Sequence, residues 1–158
     1  MKIYILFVCL GNICRSPSAE AVMNGLIKQE GLSDEIQCDS AGILNYHAGE
    51  QADQRMQRHA VRRGYLLTSI SRQVNPMKDF DQFDMIIGMD DKNIWDLKAL
   101  ARNADDIQKI FKMTDFCRRI EYDQVPDPYY GGDQGFELVL DILEDACEGL
   151  LDFLRNGK

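Results

Sequence analysis

Residues 7–20 read FVCLGNICRSPSAE and follow directly on an apolar run, IYILFV, at residues 3–8. A segment that is apolar on both faces belongs inside a parallel sheet. A loop leaving the carboxyl end of such a strand lies where open α/β sheets hold their ligands. Ser16 followed by Pro17 reads as a helix start, with the serine as N-cap and the proline at the first helical position. Ala19, Val22, Met23, Leu26 and Ile27 then recur at helical spacing until Gly31 stops the run. The stretch is therefore strand, loop, helix.

The same alternation continues along the chain. Residues 36–40 fit a second strand, and residues 53–63 a helix ended by Gly64. Residues 85–89 fit a third strand, after which Asp90 caps a helix carrying Ile94, Leu97 and Leu100; residues 107–111 fit a fourth strand. The last helix has the clearest stripe, from Phe136, Val139, Leu140 and Leu143 to Leu150 and Leu154. This order predicts an α/β fold with a parallel sheet flanked by helices on both faces, and a single domain over residues 1–158. Residues 112–132 form the longest stretch without periodicity, and loops of that length in compact domains are usually functional.

Composition narrows the classes. The chain has 158 residues, 45% of them hydrophobic and 28% charged, and a net charge of −8. That acidity argues against nonspecific binding to nucleic acid, which needs a basic surface. No apolar segment approaches the roughly 20 residues of a membrane helix, so no membrane association is expected. Five cysteines without dense spacing suit a reducing compartment, and the cytoplasm is expected. A monomer is the favoured state. His47 and His59 lack metal-ligand spacing, and neither a metal nor another cofactor is expected. Arg58, Arg62 and Arg63 read as a solvated helix face, and Trp95 as a packing residue.

The chemistry concentrates in the quoted loop. Cys9 and Arg15 enclose Leu10, Gly11, Asn12, Ile13 and Cys14. A loop of this size can turn successive N–H groups inward, and together with the helix N-terminus they form a cradle for phosphate. Arg15 adds a planar fork of donors. The same field favours the thiolate of Cys9, the nucleophilic form of the side chain. Asn12 is a candidate for positive φ, with its side chain held by Ser40, and Ser16 is placed to hydrogen-bond the Cys9 sulfur. Displacement at phosphorus also needs a proton for the leaving oxygen. Asp127, between Pro126 and Pro128 in VPDPYYGG, suits a general acid that later serves as base toward water. Cys14 reads equally as a redox partner of Cys9 or as a small packing residue. Cys38, Cys117 and Cys147 read as structural thiols.

Taken together, CLGNICRSP at residues 9–17, DSAG at 39–42, SRQV at 71–74, FDMIIGMD at 83–90 and DPYY at 127–130 resemble the low-molecular-weight protein tyrosine phosphatases. The likeness covers nearly the whole chain, with the blocks in the family's order. It implies a four-stranded parallel sheet of Rossmann-like type. It further implies metal-free hydrolysis of phosphotyrosine in proteins or peptides, with acid phosphatase activity on small aryl phosphates. Carried over by residue, it makes Cys9 the nucleophile, Arg15 the phosphate binder and Asp127 the general acid. Tyr46 matches a wall position that often holds tryptophan, Tyr129 and Tyr130 border the cleft, and Ser69 stands where animal members have a histidine. Rival chemistries fit less well. An arsenate reductase needs further thiols, and the segment IIGMDD has none. A protein-arginine phosphatase tends to have threonine where this chain has Ile13. A thiol-disulfide oxidoreductase prefers Cys-x-x-Cys, and a noncatalytic phosphotyrosine-binding module would not need Cys9 or Asp127.

Overall fold

The structure, a computed structural model, describes residues 1–129 and 131–156; Tyr130, expected at the cleft wall, lies outside the described residues. Among them, β1 (Ile3–Cys9), β2 (Ile36–Gly42), β3 (Met85–Gly88) and β4 (Ile110–Lys112) form one parallel sheet in the order β2-β1-β3-β4. The central place of β1 follows from its sequence, because alternate side chains serve two apolar layers. Ile5, Phe7 and Cys9 join one cluster, packed under α1 (Arg15–Gln29), α2 (Gln54–Val61) and α6 (Asp133–Arg155). Leu6 and Val8 join another, with Phe80 of α3 (Pro76–Gln82) and Leu97 of α4 (Asp91–Leu100). Helices thus cover both faces, as the alternating pattern predicts.

The chain leaves β1 toward β2 on one side and later returns to β3 on the other. The carboxyl ends of β1 and β3 therefore flank a switch point, the place where such sheets open a crevice.

Three elements differ from the sequence reading. The short helix α3 has too few turns to show an apolar stripe, yet Asn75 caps it, accepting from Met77 N at 3.1 Å, and Pro76 opens it. The expected strand at 107–111 gives way to α5 (Ala104–Gln108), capped by Asn103, whose Oδ1 accepts from Asp106 N at 2.9 Å; only Ile110–Lys112 is strand. Within the expected loop, Met113–Phe116 forms a 3-10 turn. Two side chains also differ. Trp95 is 75% exposed and so does not pack into the core. Arg63 is not a solvated charge but bridges Glu137, Asp141 and Glu144 of α6.

The segment after the 3-10 turn is fastened to α6 by Asp145, whose buried carboxylate accepts from the N–H groups of Arg118, Arg119 and Ile120 at 3.1, 2.9 and 2.8 Å. One turn further along α6, Gly149 meets the turn itself. A Cβ there would lie 1.8 Å from the Phe116 carbonyl oxygen, a backbone atom. On an open helix face Gly→Ala stabilises by up to about 1 kcal/mol. At this contact Gly149→Ala is expected to have the opposite sign, destabilising by about 3 kcal/mol through overpacking. Chemical denaturation of the two proteins measures the difference, and an unchanged or raised midpoint would contradict the contact.

Candidate active site

β1 ends at Cys9, paired with Gly42 of β2, and α1 begins at Arg15. The intervening loop is pinned from outside. The carbonyls of Cys9 and Leu10 accept from Ile43 N and Leu44 N, both at 2.9 Å, and that of Ile13 from Asp53 N at 2.8 Å. Ser71 Oγ donates to the Gly11 carbonyl at 3.0 Å. Four carbonyls of this stretch are thus tied to neighbouring segments. Gly42 makes this close docking possible, since a Cβ there would stand 3.1 Å from Asn12 Cβ, Gly11 C and Leu10 O.

Asn12 has φ of 58°, in the left-handed region that asparagine enters at less cost than most residues. Its side chain is fully used. Nδ2 donates to Ser16 Oγ at 2.8 Å and Ser40 Oγ at 3.0 Å, while Oδ1 accepts from Arg72 N at 3.0 Å. Ser40 Oγ in turn donates to Glu20 at 2.6 Å. Burial raises the Glu20 pKa, and hydrogen bonds from Ser40 and Ser69 oppose the rise. Ser69 thus joins this network.

The Cys9 sulfur is buried, 3.1 Å from Ser16 Oγ, and accepts from Ser16 N at 3.4 Å. Ser16 is therefore not the N-cap expected from the sequence. The cap position is Cys14, without a side-chain cap bond, because the Ser16 hydroxyl is already engaged with Cys9 and Asn12. Cys14 is buried too. Burial pushes its thiol far up, and Asp53 and Cys9 add to the rise.

Arg15 is only 2% exposed. Its Nη1 donates to Asp90 Oδ2 at 2.6 Å and to the Val125 carbonyl at 3.0 Å, and its Nη2 lies 3.6 Å from Asp127 Oδ2. Burial works against the cation, but the neighbouring Cys9 and Asp90 outweigh it and hold the guanidinium above its ordinary pKa. Asp90 serves two elements at once, since its Oδ1 also caps α4 by accepting from Asn93 N at 2.7 Å. The Asp127 side chain is 39% exposed, and its Oδ1 accepts from Tyr129 N at 3.0 Å.

These groups share a cleft of about 430 Å³, lined by Cys9, Leu10, Gly11, Ile13, Cys14, Arg15 and Asp127 together with Leu44, Tyr46, His47 and Tyr129. His47 stands edge-on to Tyr46 at 4.8 Å between ring centroids and 6.0 Å from Tyr129, so the three rings form one wall. Such a cleft brings together a buried sulfur, a fixed cation and a partly exposed carboxyl. Sequence reasoning missed Asp90 as a partner of Arg15, and His47 and Leu44 as lining. The available signals were the place of Asp90 at the carboxyl end of a strand and the adjacency of His47 to Tyr46.

The family sequence model described as "Low molecular weight phosphotyrosine protein phosphatase" matches residues 4–158. A crystal structure of a protein tyrosine phosphatase from Entamoeba histolytica, solved with Hepes in its active site, superposes with a TM-score of 0.96 at 52% identity, covering 99% of both chains. A relative from Synechocystis is 47% identical over 150 residues, 95% of each chain. The low molecular weight protein-tyrosine-phosphatase YfkJ of Bacillus subtilis is 40% identical, covering 99% of this chain and 98% of that protein.

The loop geometry assigns Asn12 two separable duties, a left-handed backbone and a three-way side-chain link. Asn12→Gly keeps the backbone and loses the link, and its affinity for orthovanadate is expected to fall about tenfold, the scale of one or two buried hydrogen bonds. Asn12→Ala also incurs strain at positive φ and should bind more weakly still. Titration by calorimetry gives the order; equal affinities for Asn12→Ala and wild type would contradict it.

Proposed function

The chain belongs to the low molecular weight phosphotyrosine protein phosphatase family and is a protein tyrosine phosphatase, and we propose that Cys9, Arg15 and Asp127 carry out its hydrolysis. The observation that supports this reading is the buried Cys9 sulfur, held by Ser16 at the floor of a cleft that also contains the Arg15 guanidinium and the Asp127 carboxyl. The thiolate of Cys9 attacks phosphorus, and the bond from phosphorus to the phenolic oxygen breaks. Asp127 delivers its proton to that oxygen. Arg15 and the N–H groups of residues 10–14 hold the phosphoryl oxygens as their charge shifts. Water, deprotonated by the Asp127 carboxylate, then attacks the phosphocysteine. Inorganic phosphate leaves, and the Cys9 thiolate and Asp127 acid are restored.

The wall of Tyr46, His47 and Tyr129 suits a flat phosphorylated ring carried on a long side chain. Phosphoserine is too short to reach the sulfur past such a rim, and phosphoarginine has the length but not the ring. The substrate is therefore phosphotyrosine in proteins or peptides. Among the described residues no helix is long and apolar enough to cross a membrane. All five cysteines are free, which supports a reducing, cytoplasmic location, and we infer a monomer.

Cys9→Ser is expected to abolish turnover while vanadate or phosphate still binds, because the cradle and Arg15 stay in place. Turnover near the wild-type level would rule out the phosphocysteine route. Asp127→Asn should lower kcat/KM by about 10²- to 10⁴-fold for phenolic leaving groups that need a proton, and much less for strongly acidic ones. On matched peptides, the expected order of kcat/KM is phosphotyrosine, then phosphoarginine, then phosphoserine, with Ile13→Thr raising relative activity toward phosphoarginine. A wild-type preference for either of the latter two would overturn this account of the pocket.

A further inference from the structure

Asp127 sits between two points at which its loop is attached to the body of the protein. On one side, Val125 N donates to the Met89 carbonyl at 2.8 Å, and the Val125 carbonyl accepts from Arg15. On the other, the Tyr129 carbonyl accepts from Arg55 Nη2 at 2.8 Å. Arg55 lies in the first turn of α2.

The surroundings of Arg55 are built to hold it. Asp53, the N-cap of α2, accepts from Arg55 N at 2.8 Å, from Arg55 Nε at 3.3 Å and from Arg55 Nη2 at 3.1 Å. The guanidinium carbon lies 5.4 Å from the centroid of Tyr129 and 5.0 Å from that of Phe136, within reach of cation–π attraction to both rings. Asp53 itself is joined to the phosphate loop, its N–H donating to the Ile13 carbonyl at 2.8 Å. A continuous path therefore runs from Ile13 through Asp53, Arg55 and the Tyr129 backbone to Asp127, whose Oδ1 accepts from Tyr129 N.

We propose that Asp53 and Arg55 are positioning residues that lock the Asp127 loop to the phosphate cradle, setting the height of the proton donor above the reacting phosphorus. This rests on the reading of Asp127 as general acid. Arg55 touches no substrate in this scheme. Its fork spans Asp53 and the Tyr129 carbonyl at once, a geometry a lysine ammonium does not reproduce. Proton transfer depends steeply on placement, and a displacement of about 1 Å can cost about 10²-fold in rate.

The test compares wild type, Arg55→Met, Arg55→Lys, Asp127→Asn and Arg55→Met/Asp127→Asn on aryl phosphates of graded leaving-group acidity, with vanadate affinity and thermal melting measured alongside. For Arg55→Met, kcat/KM on phenyl phosphate is expected to fall about 10- to 100-fold. On 2,4-dinitrophenyl phosphate, whose leaving group needs no proton, it should stay within about threefold. In the Asp127→Asn background the same change should cost little, because the group it places is already gone. Arg55→Lys should show the same leaving-group pattern at smaller amplitude, and it decides the matter if Arg55→Met fails to fold. A uniform loss across all leaving groups, a change confined to KM, or additive losses in the double variant would overturn the positioning role. If Asp127→Asn itself shows no leaving-group dependence, the general-acid assignment falls, and the role of Arg55 with it. If Asp127→Asn shows that dependence and neither Arg55 variant does, the positioning proposal alone fails.

Discussion

Arg15 carries a permanent charge with almost none of its surface in water, and a buried charge is tolerable only with its partners in place. Those partners come from distant parts of the chain. Asp90 is 75 residues further on and Val125 is 110. They meet Arg15 because β3 lies directly beside β1, so that the segment leaving the end of one strand faces the segment leaving the end of the other. The guanidinium ties the strand order, the cap of α4 and the long loop to a single point. Removing Asp90 would take away the shortest ion pair of the buried guanidinium and free a helix end together.

A second set of bonds acts on the opposite flank. Ile43, Leu44, Ser71 and Arg72 hold the outer side of the phosphate loop from the β2 edge, and Asn12 links that edge to the start of α1. Fixed partners of this kind limit the shapes the loop can take. Such preorganisation is what makes fixed dipoles effective at a developing charge, since no rearrangement is then needed during reaction. The strained φ of Asn12 is the cost of this arrangement, and its three side-chain bonds offset it.

The cleft is polar at its floor and aromatic at its wall. The floor is built on rigid elements, the end of β1 and the first turn of α1. The wall comes from two loops, one carrying Tyr46 and His47, the other Tyr129. The sulfur and the cation thus sit on the floor, while the Asp127 carboxyl shares the Tyr129 loop of the wall.

The sequence by itself determined whatever depends on near neighbours. Cys9, the loop to Arg15, the positive φ of Asn12, the proline-flanked Asp127 and the two-faced β1 are all written in short stretches whose periodicity or turn chemistry is local. Elements too short for a period were not legible. Helix α3, seven residues long, has no apolar stripe to read, and α5, capped by Asn103, takes Ile107 and Gln108 from the expected strand. Tertiary structure alone decided which residues do a second job. Ser16 reads in sequence as both a helix cap and a partner of the Cys9 sulfur, and only the fold shows that the second holds while the cap position falls to Cys14. Asp90 does cap a helix, yet nothing in its neighbours shows that its other oxygen meets Arg15. Trp95 looks like core and lies in water, and Arg63 looks solvated and lies among carboxylates. A side chain's local preference is set by the few residues around it, whereas its partner is set by sheet order and helix packing, which join segments that share no pattern.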